Sequence, residues 1–167
     1  WKWRDCVEVI YRIVEMSEGK KSQRRQCRIA CMQYLYSWSI NKPNDLNDSI
    51  RLFYEDQEDQ SEDRDYYSFA DELIYGVIEN SEDIDGKIRE IANNWDFGRI
   101  AKIDLAILRM AIFELLFRKD IPPVVTINEA VDLSKLYSAE ESRRFVNGIL
   151  DRLHGQLDRP SRSASEE

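Results

Sequence analysis

Several residue types are scarce in this chain, and each scarcity removes a class of protein. There are three cysteines, Cys6, Cys27 and Cys31, and an odd, sparse set does not read as a disulfide framework. There is one histidine, His154, so a histidine-based catalytic triad would rest on the fraying end of the last helix. Cys27 and Cys31 are four apart and share a helix face, but a metal site needs about four ligands. Two buried thiols in a reducing compartment is the better reading of the pair. Four prolines and six glycines leave room for long regular elements. No apolar run reaches the length of a membrane span, and no small-residue cleavage site follows an apolar core near the start. The protein is therefore expected to be soluble and cytoplasmic. There is no GxGxxG, no P-loop, no internal repeat and no convincing strand run after residue 20.

What is present suits one domain of amphipathic helices: 167 residues, 43% hydrophobic and 34% charged. The net charge is −8, unevenly spread. Residues 1–40 carry 8 basic and 4 acidic side chains, whereas residues 41–100 carry 6 basic and 17 acidic. An acidic protein thus concentrates positive charge near its start, which points to a local nucleic-acid footprint and not to affinity over the whole surface.

Periodicity leaves residues 1–19 open between helix and strand. The chain begins with Trp1, and this segment is read as an N-terminal extension of unknown role. Ser22 to about Ile40 reads as a helix with Cys27, Cys31, Tyr34, Leu35 and Trp38 on one stripe, broken by Asn41-Lys42-Pro43-Asn44. Leu46, Ile50, Phe53 and Tyr54 face inward on the next helix. An acidic solvated stretch separates it from a helix carrying Phe69, Ala70, Leu73, Ile74 and Val77. Ser81 is a plausible N-cap for a helix with Ile84, Ile88 and Ile91 inward. Ala101 to Lys119, with a broad apolar face, is expected to be the most buried helix and is stopped by Pro122 and Pro123. Two capping boxes, Thr126 with Glu129 and Ser138 with Glu141, are expected to open the last two helices. From Gly155 onward the composition reads as a disordered tail. The predicted fold is all-α.

Lys20, Lys21, Arg24, Arg25 and Arg28 crowd the start of the first confident helix. At about 100° per residue, Lys21, Arg24, Arg25 and Arg28 fall in an outward stripe beside the apolar one. Cations at a helix N-terminus oppose the macrodipole by about 0.3–1 kcal/mol each. Helix stability alone would favour acids there, and arginine's planar fork suits phosphate and bases. A solvated charge run is the ordinary alternative. RNA is weakly preferred over DNA, because no helix-turn-helix signature is present. Carboxylates are plentiful mainly in the acidic middle, so no enzyme is read here. Asp104, one turn before Arg109, reads by itself as an exposed or helix-paired carboxylate. Asn128 and Asn147 read as residues that cap or bridge helices.

Three segments in order resemble the NusB family. These are the basic helix ending in Tyr36-Ser37-Trp38, the run Ile103-Asp104-Leu105-Ala106-Ile107-Leu108-Arg109-Met110-Ala111-Ile112-Phe113-Glu114-Leu115, and the stretch from Ile127-Asn128-Glu129-Ala130-Val131 to Phe145-Val146-Asn147-Gly148-Ile149-Leu150-Asp151. Trp95 and Arg99 also fit. The resemblance covers about residues 20–153. It implies an all-α fold of about seven helices in two packed bundles, occupying residues 20–154. It implies a non-enzymatic transcription antitermination factor that needs no cofactor. Such a factor binds boxA-type single-stranded RNA with NusE, the small-subunit ribosomal protein, on elongating RNA polymerase, and promotes read-through of ribosomal RNA operons. A homodimer of the free protein is left open.

In that family the arginine-rich first helix contacts RNA, which here corresponds to Arg24, Arg25 and Arg28 with Lys20 and Lys21 nearby. Glu141, Arg144 and Phe145 match positions near the RNA. Phe145 is then the candidate for base stacking, with an ordinary core phenylalanine as the alternative. Tyr36 and Asp104 match the surface facing NusE, so the two are expected on one exposed face. Gln26 stands where another arginine often occurs, and Ile91 replaces an aromatic seen in some members. Two other readings stay open: a NusB-like accessory domain of a ribosomal RNA methyltransferase, and a structural helical module with no RNA role.

Overall fold

A computed structural model describes residues 23–57 and 64–162. Lys20, Lys21 and the extension at residues 1–19 lie outside the described residues. The described residues contain seven α-helices and no strand. They are α1 (Gln23–Ile40), α2 (Leu46–Glu55), α3 (Ser68–Glu79), α4 (Ser81–Ile91), α5 (Lys102–Phe117), α6 (Pro123–Tyr137) and α7 (Glu140–Gln156). Single 3-10 turns at Arg64–Tyr67 and Phe97–Arg99 precede α3 and α5.

Helix α5 is the axis of the fold. It packs against α1 and α3 on one side and against α4, α6 and α7 on the other, so two helical bundles share it. Helix α2 joins the first bundle through the edge-to-face pair Tyr34–Phe53 and a hydrogen bond from Tyr54 Oη to Asp71. Every residue of α5 from Asp104 to Leu115 is buried, as expected of a helix that is apolar around most of its girth. Three of those residues are charged, five apart: Asp104, Arg109 and Glu114. Five residues turn the helix by about 500°, or 140° net, so the three charges point at different neighbours. Glu114 faces Arg28 of α1 and Thr126 of α6. Arg109 forks onto Asp85 of α4 and reaches Ser39 of α1. Asp104 accepts from Ser138 and Ser142 at the α6–α7 junction. A buried charge without a partner is expensive, so these contacts select one arrangement of the helices around α5.

Close approach of α3 to α5 depends on Gly76. A Cβ there would lie 2.1 Å from Cζ of Phe113, well inside van der Waals contact, so the aromatic ring of Phe113 occupies the space a side chain would need.

The local signals at helix ends differ from expectation. Thr126 does not cap α6. The helix starts at Pro123, whose fixed φ suits the first helical position, and Thr126 lies a turn inside, donating to Glu114. Ser138 ends α6 and donates to Asp104 instead of capping α7, which begins after Ala139. Ser81 is the first residue of α4, not its cap. Asn147 donates to Asp151 within its own helix and bridges nothing. The segment after Gly155, read from composition as an unstructured tail, is tied down as far as Ser161. Arg159 donates to the carbonyls of Leu115, Lys119 and Ile121, and the Ser161 carbonyl accepts from Val124 N–H.

Candidate nucleic-acid interface

The cationic start of α1 folds against the rest of the protein in a graded way. Arg24 is half-exposed (51%) and lies 3.6 Å from Asp120. Arg25 is more covered and lies 3.4 Å from both Glu129 and Asp132 of α6. Arg28 is buried, with 3% of its side chain exposed, and its fork meets the equally buried Glu114 at 2.9 and 2.7 Å. Burial alone would lower the pKa of Arg28, but the hydrogen bonds and charge of Glu114 outweigh it and hold the guanidinium above its ordinary value. The expectation of an outward stripe is therefore corrected for Arg28. Helical angle places it at the edge of the apolar face, and a carboxylate 86 residues away turns that edge inward.

Phe69 of α3 organises the same corner. The guanidinium groups of Arg24, Arg28 and Arg118 lie 4.8, 5.4 and 5.2 Å from its ring centroid. An aromatic face attracts cations, which offsets part of the repulsion among the three. Arg118 is bidentate to Asp120 at 2.9 Å and also pairs with Glu72.

The second set of expected residues lies on α7. Glu141, Arg144 and Phe145 are spaced i, i+3, i+4 and share one face of the helix. Glu141 and Arg144 are exposed and Phe145 is half-buried. Phe145 is packed against the core, and its ring also meets Trp95, with centroids 5.0 Å apart and planes at 50°. Tyr137, half-buried at the end of α6, belongs with the first set. Burial raises the pKa of Tyr137, and the charge of Arg25, close enough to act, pulls it back.

Tyr36 is half-buried on α1 and packed against the core. Asp104 is not on an exposed face: only 4% of it is accessible, and its two oxygens accept from Ser138 at 2.6 Å and Ser142 at 2.7 Å. The expectation of an open charge beside Tyr36 is corrected accordingly. Ser138, which the capping-box reading assigned to a helix start, and Ser142 of α7 cover it instead. Arg109, one turn on, is occupied by Asp85 and Ser39. Among the described residues no group of histidine, cysteine, aspartate and glutamate is arranged to hold a metal, and no helix is long and apolar enough to cross a membrane.

Sequence reasoning did not single out Trp95 as a site residue, nor Asp120 and Asp132 as partners of the arginines. A tryptophan in a polar break, after Asn93-Asn94 and before Asp96 and Gly98, is the one signal that could have drawn attention. The acidic partners carried no local signal.

Among the described residues, seven helices, one of them the buried axis, with a cationic helix start and an aromatic-basic face on the last helix, define an all-helical fold. The NusB family model matches residues 25–154. Over 138 residues the chain is 42% identical to the transcription antitermination protein NusB of Thermodesulfovibrio yellowstonii, covering 78% of this chain and 91% of that protein. It is 54% identical over 91 residues to the protein of the same name from Geotalea daltonii, spanning 54% of this chain and 63% of that relative's length, a little under two thirds. Its fold matches T. maritima NusB with a TM-score of 0.72 at 34% identity, covering 87% of this chain and 95% of the other. It also matches a structure of antitermination factors NusB and NusE in complex with dsRNA, with a TM-score of 0.71 at 25% identity over 81% of this chain and 98% of the other. The chain belongs to the NusB family. The methyltransferase accessory reading is not favoured, since these relatives are antitermination proteins.

Proposed function

We propose that this protein is a non-enzymatic transcription antitermination factor in the cytoplasm. It binds boxA-type RNA together with NusE, joins elongating RNA polymerase and promotes read-through of ribosomal RNA operons. The observation that carries this reading is the match, over most of the chain, to a NusB structure containing both NusE and RNA. Arg24 and Arg25, with Lys20 and Lys21, supply phosphate contacts, and Arg144, Phe145 and Glu141 supply contacts nearer the bases. Tyr36 belongs to the NusE-facing surface, and Asp104 supports that surface from within by holding the α6–α7 junction. Arg28 serves the fold.

The paired state of Arg24 and Arg25 bears on the mechanism. Phosphate must compete with Asp120 for Arg24 and with Glu129 and Asp132 for Arg25, so binding exchanges existing ion pairs for charge-assisted contacts to phosphate. Anisotropy titration of a boxA oligoribonucleotide, with and without NusE, tests the reading. Each phosphate contact to a single strand contributes about −0.7 to the slope of log affinity against log salt. Replacing Arg24 and Arg25 together by alanine is expected to flatten the slope by roughly 1.4 and to leave NusE binding intact. An unchanged slope would place the RNA on another face. The same titration with a double-stranded version of the oligonucleotide separates the single-strand preference from binding to dsRNA. A free homodimer that gives way to NusE is checked by sedimentation of the protein alone and with NusE.

A further inference from the structure

Trp95 is the most exposed of the large apolar residues described, at 63%. It is nevertheless held in place. Its backbone N–H bonds to the Ala92 carbonyl at 2.8 Å, and the next residue, Asp96, caps the 3-10 turn by accepting from Gly98 N–H at 3.0 Å. One side of the indole meets Phe145, at 5.0 Å between centroids. The amount of surface left open implies a free plate on the other side. Leaving a tryptophan in water forgoes a large apolar burial, and neither the core nor an ion pair uses the exposed face.

Phe145, the ring that meets the indole, shares a helix face with Arg144 and Glu141, two side chains suited to a nucleotide. Arg144 can donate to phosphate or to a base edge. Glu141, when ionised, can only accept, so it suits a base amino group and disfavours phosphate. Arg99 is 88% exposed at the side chain and follows Trp95 by four residues.

We propose that Trp95 is the outer plate of a base-stacking platform. An unpaired RNA base lies on the open face of the indole, Phe145 braces the indole at a tilt of 50° between the rings, and Glu141 and Arg144 contact the edge of that nucleotide. The proposal rests on the RNA-binding reading above and assigns a residue and a chemical role that reading does not contain. Stacking supplies affinity with little base preference, because every base has a π-face.

The test compares the full-length protein with its W95A and W95F variants in anisotropy titrations with a boxA oligoribonucleotide, in the presence of NusE. Loss of a base–aromatic stack weakens binding by roughly 5- to 150-fold, so W95A is expected in that range and W95F within about 3-fold of wild type. The salt slope should stay unchanged in W95A, because a stack releases no counterions. Single abasic substitutions along the RNA should show one position whose loss weakens wild-type binding but has no further effect on W95A. Wild-type RNA binding with unchanged affinity in W95A overturns the platform and leaves the RNA-binding reading standing. Absence of RNA binding by the wild type overturns both. If W95A loses NusE affinity or thermal stability in step with RNA affinity, Trp95 serves the partner or the fold and the proposal fails.

Discussion

Replacing Arg28 by alanine strands Glu114 in the core. The carboxylate is 1% exposed and would lose two charge-assisted hydrogen bonds, at 2.9 and 2.7 Å, keeping only the donation from Thr126 Oγ1 at 3.1 Å. Removing one member of a buried ion pair costs about 3–5 kcal/mol. Relief of the dipole conflict at the start of α1 returns at most about 1 kcal/mol, so the sign is fixed. For a chain of this length, each kcal/mol moves the midpoint by about 2–4 °C, which gives a fall of roughly 6–20 °C. The helix-dipole argument taken alone would have the loss of Arg24, Arg25 and Arg28 stabilise the first helix; for Arg28 the opposite sign follows, because Glu114 lies behind it. Thermal unfolding followed by circular dichroism measures the effect. The double replacement R28M/E114L removes both charges at once and should recover most of the loss, since buried pairs exchanged for apolar residues are often neutral or stabilising. That double variant should also keep the wild-type salt slope for RNA. A midpoint in R28A within 2 °C of wild type, or a flattened RNA slope in R28M/E114L, would refute the internal role of Arg28.

Gly76→Ala brings a Cβ against the Phe113 ring and should destabilise by about 1–3 kcal/mol despite alanine's better helix propensity, as overpacking does; urea unfolding reads it. Burial pushes the thiols of Cys27 and Cys31 up, Cys31 well above its ordinary value, so both should resist alkylation at pH 8 in the native protein and react on unfolding, as counted by mass spectrometry. Neutralising Asp132 with D132N removes one competitor for Arg25 and should tighten RNA binding by a few-fold, with no effect on NusE affinity; weaker RNA binding would show that Asp132 itself contacts the RNA. Hydrogen bonds from Arg118 hold the Asp120 carboxyl below the usual aspartate range. The folded pKa is thus the lower one, and this contribution to stability is full above about pH 4 and lost as pH falls through the folded value. D120N should remove that part of the acid dependence in a series of melts from pH 6 to pH 2.

The helices were legible in the sequence because burial imposes a 3.6-residue period on them locally. The stripe of Cys27, Cys31, Tyr34, Leu35 and Trp38 is buried as its spacing predicts, and the apolar girth of α5 marked it as the axis. The order of motifs along residues 20–153 was enough to suggest the family. Helix starts were less legible, since Thr126 and Ser138 have the right spacing for caps yet spend their hydroxyls on Glu114 and Asp104. What only the tertiary structure decided is which charges are available to a partner. Arg24 and Arg28 are one helical turn apart and lie within 6 Å of the same Phe69 ring, yet one is half-exposed and the other is sealed against Glu114. Asp104 looks open on a helical wheel and is closed by two serines. Trp95 would pass for a core residue by composition and stands in solvent. Periodicity reports which side of a helix meets the core. The state of a charge or an aromatic at the boundary depends on the partner that a distant segment brings to it, and that partner leaves no local pattern.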